Sequence, residues 1–95
     1  MKPSELLSRP EAWCKGYSAR NQMNDSVEPR SEQAVKWCMW GAMIRCNLSS
    51  PEHVDRLNMV VRRKHKDVRI NLVDFNDYCA KDHAEVIAVL QEAGL

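Results

Sequence analysis

Residues 31–46 read SEQAVKWCMWGAMIRC and include the longest apolar-rich run of the 95-residue chain. Ser31 is a typical helix N-cap, and Glu32 suits the positive end of a helix dipole. At about 100° per residue, one broad side of the predicted helix carries small and apolar residues: Ala34, Val35, Trp37, Cys38, Gly41, Ala42, Ile44 and Cys46. The segment therefore predicts a central helix that runs from Ser31 to about Cys46, where Asn47 can close it.

The opposite side of this predicted helix carries Lys36, Met39, Trp40 and Met43. Methionine suits adaptable binding surfaces, and tryptophan is a frequent interface anchor. Monomeric proteins seldom expose a large apolar patch without a reason. Two interpretations stay open: either these four residues form a protein interface, or the N-terminal segment folds over them through Leu6 and Leu7 and makes this face part of the core.

The C-terminal half of the chain predicts a helix, a strand and a second helix. The sequence Ser-Pro-Glu at residues 50–52 is a strong helix start, and cations at residues 62–64 suit the end of that helix. Apolar and polar residues alternate over residues 68–72, which predicts a short half-buried strand. Asp82 with Glu85 three positions later predicts a capping box at the start of the last helix.

The N-terminal part of the chain gives weaker patterns. Residues 4–8 predict one or two helical turns with Ser4 as N-cap. Short strands at residues 17–20 and 26–28 could pair as a hairpin, because turn formers lie between them. The whole pattern predicts one α+β domain over residues 1–95, mostly helical, with about four helices and two or three short strands.

Composition and charge favour a protein of the cytoplasm without membrane contact. The formal net charge is +1, from 14 basic and 13 acidic side chains, so no long-range field steers the chain to nucleic acid or an anionic membrane. No run approaches the roughly 20 apolar residues of a membrane span. The first residues also lack the apolar core of a signal peptide.

The cysteines and histidines do not form a recognisable reactive site. Zinc sites usually contain close pairs such as Cys-x₂-Cys, and the 4 cysteines and 3 histidines provide no such pair. The sequence also has no Gly-rich phosphate loop and no nucleophile elbow. It therefore predicts free, mostly buried thiols, no cofactor and no enzymatic activity, with a thiol- or metal-dependent function as a third alternative.

Basic residues concentrate in the segment 56–69, which contains Arg56, Arg62, Arg63, Lys64, Lys66 and Arg69. Such a cluster can neutralise the phosphates of nucleic acid. It can equally be a solvated helix end, where cations complement the helix dipole. The segment is the basis of the alternative function, a small nucleic-acid-binding protein.

Several motifs resemble an uncharacterised family of small bacterial and phage proteins that is known only as a domain of unknown function. They are Trp13-Cys14-Lys15-Gly16, Ala19-Arg20, Ala34, Trp37-Cys38, Gly41-Ala42 and Phe75-Asn76-Asp77. The family usually has Trp where this chain has Phe75. The resemblance runs from Trp13 to Ala93 and implies a shared compact fold, but no particular reaction.

The sequence as a whole predicts a non-enzymatic protein-interaction module that binds a protein partner or forms a homodimer. In a phage or mobile-element setting, the partner would be a host factor. This last step rests on analogy with the family and not on the chemistry of particular residues.

Overall fold

The computed structural model describes every residue from Met1 to Leu95. Its helices are α1 (Pro3–Leu6), α2 (Met39–Arg45), α3 (Pro51–His65), α4 (Leu72–Asp74) and α5 (His83–Glu92). A 3₁₀ turn covers Pro10–Ala12, and a π-helical turn at Phe75–Cys79 continues α4. Two short antiparallel strands, β1 (Ala19–Arg20) and β2 (Lys36–Trp37), complete the fold. The predicted α+β class is confirmed, with five helices instead of about four.

A single core cluster lies between the helices. Leu7, Met39, Met43, Leu57 and Phe75 are all fully buried there. Helix α1 packs against α2 and α5, and α3 packs against α4 and α5. Because each short helix buries one side on its neighbours, no single element needs a long apolar face. None of the helices is both long enough and apolar enough to cross a membrane.

The predicted central helix is wrong in its first half, because residues 31–38 are not helical. The Val35 N–H donates to the Arg20 carbonyl at 2.9 Å, and the Cys38 N–H donates to the Ser18 carbonyl at 3.2 Å. These bonds join the segment to β1 and replace the bonds that a helix would make to its own preceding turn. Helical periodicity is a local signal, so it cannot reveal partners that lie distant in the sequence.

The predicted strand over residues 68–72 is also wrong, because residues 68–71 lie in the turn between α3 and α4 and Leu72 begins α4. No neighbouring strand is present to pair with it. Its backbone instead bonds to side chains of α3: Arg62 Nε donates to the Ile70 carbonyl at 2.8 Å, and Asn58 Oδ1 accepts from the Leu72 N–H at 2.8 Å. An alternating pattern therefore occurs here without a sheet.

The two long helices follow their local signals. Helix α3 begins at Pro51, as predicted, and ends at His65. Helix α5 begins after Asp82, whose carboxylate accepts from the Glu85 N–H at 3.0 Å. The predicted N-terminal hairpin is reduced to one bridge between Arg20 and Ser26, since β1 takes β2 as its main partner.

Gly41 marks the closest approach between α2 and the segment that leads into β1. A Cβ at this position would lie 1.8 Å from the Ser18 carbonyl oxygen. Helix propensity alone favours Ala over Gly by about 1 kcal/mol. We nevertheless expect Gly41→Ala to lower the free energy of unfolding by about 2 kcal/mol, because the backbone must move to remove the overlap. Urea unfolding followed by circular dichroism measures this change.

Gly94→Ala is the control for this experiment. Gly94, unlike Gly41, adopts a positive φ of +76°, and nothing lies within 4 Å of its Cβ position. Its variant should lose about 1 kcal/mol, the cost of a left-handed alanine. A Gly41→Ala protein that is more stable than wild type would show that α2 does not approach Ser18 so closely.

Candidate functional site

The four residues of the predicted interface do not form an exposed patch. Met39 and Met43 are fully buried, and Lys36 lies half-buried in β2. Helix α1 packs against α2, and Leu7 belongs to the same core cluster as the two methionines. The interface prediction is therefore wrong for Met39 and Met43, because the N-terminal segment covers this side of α2.

Trp40 alone of the four remains at an apolar surface, where two depressions meet. The larger one measures about 260 Å³ and is lined by Trp40, Val54, Asn58, Asn71, Leu72 and Val73. The smaller one measures about 110 Å³, and its lining includes Tyr17, Ser18, Cys38, Trp40, Val73 and Asp77. Since Trp40 and Val73 line both, the depressions form one continuous surface, which we call the Trp40 groove.

Two asparagines fix the corner between α3 and α4 at one end of the groove. Asn58 Oδ1 accepts from the Leu72 N–H at 2.8 Å, and Asn71 Oδ1 accepts from the Asp74 N–H at 2.8 Å. Asn71 thereby caps α4. Neither side-chain NH₂ group donates to an acceptor within the protein, so both donors are free to bind a ligand in the groove.

The surface of the Trp40 groove is largely apolar. Tyr17 is 51% exposed and Val73 is 41% exposed, while Trp40 is half-buried. Asp77 is the one charged side chain in the lining, which contains no lysine or arginine. Contiguous exposed apolar surface of this kind often marks an interaction site.

Sequence reasoning identified Trp40 but missed the other walls of the groove. Tyr17 and Val54 come from segments distant from the helical stretch that carries Val73 and Asp77, so no local pattern unites all four residues. Val73 gave the nearest usable signal, because it is an apolar residue directly after the alternating apolar and polar residues 68–72.

Asn76 lies beside the groove and binds distant parts of the chain. Its side chain is fully buried. Oδ1 accepts from Trp13 Nε1 at 2.7 Å and from the Met39 N–H at 3.1 Å. Nδ2 donates to the Cys14 carbonyl at 3.1 Å and to Asp77 Oδ1 at 2.9 Å. All four hydrogen-bonding positions of the amide are therefore used, as expected for a structural residue.

The cysteines are all free, and two of them are buried beside β2. Burial raises the pKa of the Cys14 thiol to about 11 and also raises the pKa of Cys38. Both groups are therefore neutral at pH 7, whereas a nucleophilic cysteine must form the thiolate. Each also has a local contact: Cys14 Sγ donates to the Tyr17 carbonyl at 3.6 Å, and Cys38 Sγ accepts from the Gly41 N–H at 3.3 Å.

No three side chains of His, Cys, Asp or Glu lie close enough together to hold a metal ion. The histidines instead contact their neighbours. His65 Nε2 lies 3.1 Å from Glu85 Oε1, and the ring of His65 meets the ring of Phe75 edge-on. His83 bonds to the Leu7 carbonyl.

Acidic neighbours accompany much of the basic segment. Arg63 Nη2 lies 2.7 Å from Glu92 Oε2, and Lys64 Nζ lies 3.8 Å from Glu92 Oε1. The hydrogen bond from Arg63 lowers the pKa of Glu92, so this carboxylate stays charged. Arg69 pairs with Asp67 at 3.3 Å. These acids reduce the positive field that a nucleic acid would meet.

The remaining basic residues do not form a focused patch. Arg62 is used to hold the Ile70 carbonyl. Lys66 ends α3 in the left-handed conformation, with a φ of 53°. Arg56 and Lys66 are exposed and make no ion pair. Only part of the segment 56–69 therefore carries uncompensated charge.

Comparison with known protein families gives a match over nearly the whole chain. The model described as "Family of unknown function (DUF6197)" matches residues 3–94. The chain belongs to this family. Both Asn76 and the Trp40 groove lie within the matched region, so each is part of the DUF6197 domain. A search of curated proteins gave no match, and a search of solved structures gave none either.

Removal of the Asn76 amide should destabilise the fold strongly. Asn76→Ala leaves the Trp13 indole N–H, the Met39 N–H and the Cys14 carbonyl without this partner. We expect the free energy of unfolding to fall by about 3 kcal/mol, because each buried unsatisfied group costs about 1–3 kcal/mol. Denaturant unfolding measured by tryptophan fluorescence provides the value.

Asn71→Ala is the matched control, since Asn71 is exposed and its Oδ1 makes one cap bond. Loss of such a cap costs about 1 kcal/mol. Equal losses in the two variants would show that the buried amide of Asn76 is not a special constraint.

The partly compensated charge of the segment 56–69 predicts weak nucleic-acid binding. Fluorescence anisotropy with labelled duplex DNA and single-stranded RNA at physiological salt should give a Kd no tighter than roughly 10⁻⁶ M. Arg56→Glu with Lys66→Glu should remove the remaining affinity. Nanomolar, sequence-dependent binding by the wild type would instead make nucleic-acid binding the main function.

Proposed function

We propose that this protein is a non-enzymatic interaction module that binds another protein through the Trp40 groove. The observation that carries the proposal is the continuous apolar surface around Trp40 and Val73, which reaches from Tyr17 to Val54. Its walls come from α2, α3 and α4, which pack on one core. A surface that is already formed in this way binds a partner with little ordering cost.

The dimensions of the groove favour a protein side chain over a small metabolite. Sites for small molecules commonly enclose about 300–1,000 Å³. The larger depression of the groove measures about 260 Å³ and the smaller about 110 Å³. One large apolar side chain can enter such a hollow, and tryptophan is a frequent energetic anchor in protein interfaces.

A separate protein suits the groove better than a second copy of this chain. In a two-fold symmetric contact, the same surface faces itself. Such a contact would bury the Asp77 carboxylates of both copies in one interface, and nothing in the lining carries the opposite charge to pair with them. The partner that we propose is therefore a different protein of the cytoplasm. If the family motifs reflect a bacterial or phage origin, this partner is a host factor.

Val73→Glu tests this assignment, because Val73 is 41% exposed and can accept a charge without loss of the fold. We expect its stability to change by less than about 0.5 kcal/mol. Affinity purification from the source organism, with quantitative mass spectrometry, should then lose the partner that wild type retains. The added carboxylate stays hydrated, so an apolar side chain of the partner cannot expel water from the groove.

Val68→Glu is the matched control, because Val68 is 85% exposed and does not line the groove. This variant should retain the partner. A partner that both variants retain would place the interface elsewhere. Light scattering that shows a wild-type dimer, lost in Val73→Glu, would make a second copy the occupant.

A further inference from the structure

Trp40 differs from the other tryptophans in its unused contacts. Trp13 Nε1 donates to Asn76, and Trp37 Nε1 donates to the Pro29 carbonyl at 2.9 Å. Trp40 Nε1 has no acceptor within the protein. A cation also lies over the rings of Trp13 and Trp37, at 5.5 Å from each centroid, whereas none lies over Trp40. Trp13 and Trp37 therefore have both a hydrogen-bond acceptor and a cation within the protein, and Trp40 has neither.

Asp77 lines the smaller depression together with Trp40, and only one of its two carboxylate oxygens accepts hydrogen bonds within the protein. Its Oδ1 accepts from the Gly16 N–H at 2.9 Å and from Asn76 Nδ2 at 2.9 Å. No protein donor bonds to Oδ2, and no lysine, arginine or histidine lies within salt-bridge distance of this carboxylate. Asp74 and Asp55, which directly follow the groove residues Val73 and Val54, are exposed and likewise unpaired.

The half-buried Asp77 carboxylate and the indole ring of Trp40 together suit a long cationic side chain. The charged group can pair with the carboxylate while the carbon stem lies on the ring. Lysine and arginine place their carbon stems on apolar surface and keep the charged group in polar contact. A cation over an aromatic ring gains about 0.5–1 kcal/mol at an exposed site. Trp40 and Asp77 line the same 110 Å³ depression, so one side chain can use both contacts.

We propose that the partner binds through a segment in which an arginine or lysine stands close to a large apolar residue. The cation enters the smaller depression at Asp77, and the apolar residue fills the larger one between Trp40 and Leu72. This inference rests on the proposed function, because it specifies the chemistry of the partner at the same groove. The free amides of Asn58 and Asn71 then donate to backbone carbonyls of the bound segment.

Peptide display on the full-length protein tests the inference without knowledge of the natural partner. A library of random peptides is selected on wild type and counter-screened on Val73→Gln, whose neutral amide neither attracts nor repels a cation, and this leaves the binders that need the apolar groove. We expect these peptides to combine an arginine or lysine with a leucine or an aromatic residue. Their affinity, measured by fluorescence anisotropy, should fall as the salt concentration rises.

Asp77→Asn isolates the charge, since asparagine keeps the Oδ1 acceptor for Gly16 and Asn76. We expect it to weaken the selected peptides about tenfold, the size of a close interfacial charge pair. Replacement of the peptide cation by glutamine should cause the same loss and does not touch the fold of the protein. Asp25→Asn is the control, because it removes an equal charge. Asp25 is exposed and does not line the groove.

The outcomes separate this inference from the proposed function. Groove-dependent peptides without a cation, or with equal affinity for Asp77→Asn and wild type, would overturn the cationic partner and leave the interaction groove in place. A selection that yields no peptide dependent on Val73 would overturn both.

Discussion

The buried amide of Asn76 is the constraint on which the rest of the fold depends. It joins Trp13 and Cys14, near one end of the chain, to Met39 at the start of α2. Asn76 lies in the π-helical turn, where the Ala80 N–H donates to the Phe75 carbonyl at 2.8 Å across an extra residue. Phe75 and Asn76, the first two residues of this turn, are both fully buried.

The same constraint sets the direction of Trp40. Asn76 binds the Met39 N–H, Cys38 caps α2 through its sulfur, and Gly41 lies against the Ser18 backbone. These successive contacts fix the first turn of α2. Met39 therefore points into the core, while the next residue faces the groove. The candidate site is thus a consequence of core packing, and its position depends on residues that never contact a partner.

Sequence patterns predicted the parts of the molecule that local forces determine. The capping residues and the apolar periodicity of α3 and α5 lie within a few residues of the turns that they stabilise, so the sequence alone predicts these two helices. The segment before α2 was not predicted correctly, because its hydrogen-bond partners in β1 lie far away in the chain. The site followed the same rule. Trp40 was identifiable as an anchor by residue type, but its meeting with Val73 and Asp77 required the tertiary fold.

The basic segment and the Trp40 groove differ in how many of their polar groups already have partners within the protein. In the basic segment, a phosphate that approached Arg63 would also meet Glu92, and one that approached Arg69 would meet Asp67. Exposed ion pairs are worth only about 0–1 kcal/mol, so they are easily broken, but their carboxylates remain and repel the phosphate. The Trp40 groove presents the opposite case. The Trp40 indole N–H, the NH₂ groups of Asn58 and Asn71, and one carboxylate oxygen of Asp77 have no partner in the protein. A ligand that reaches these groups breaks no internal bond, so more of its contact energy contributes to affinity.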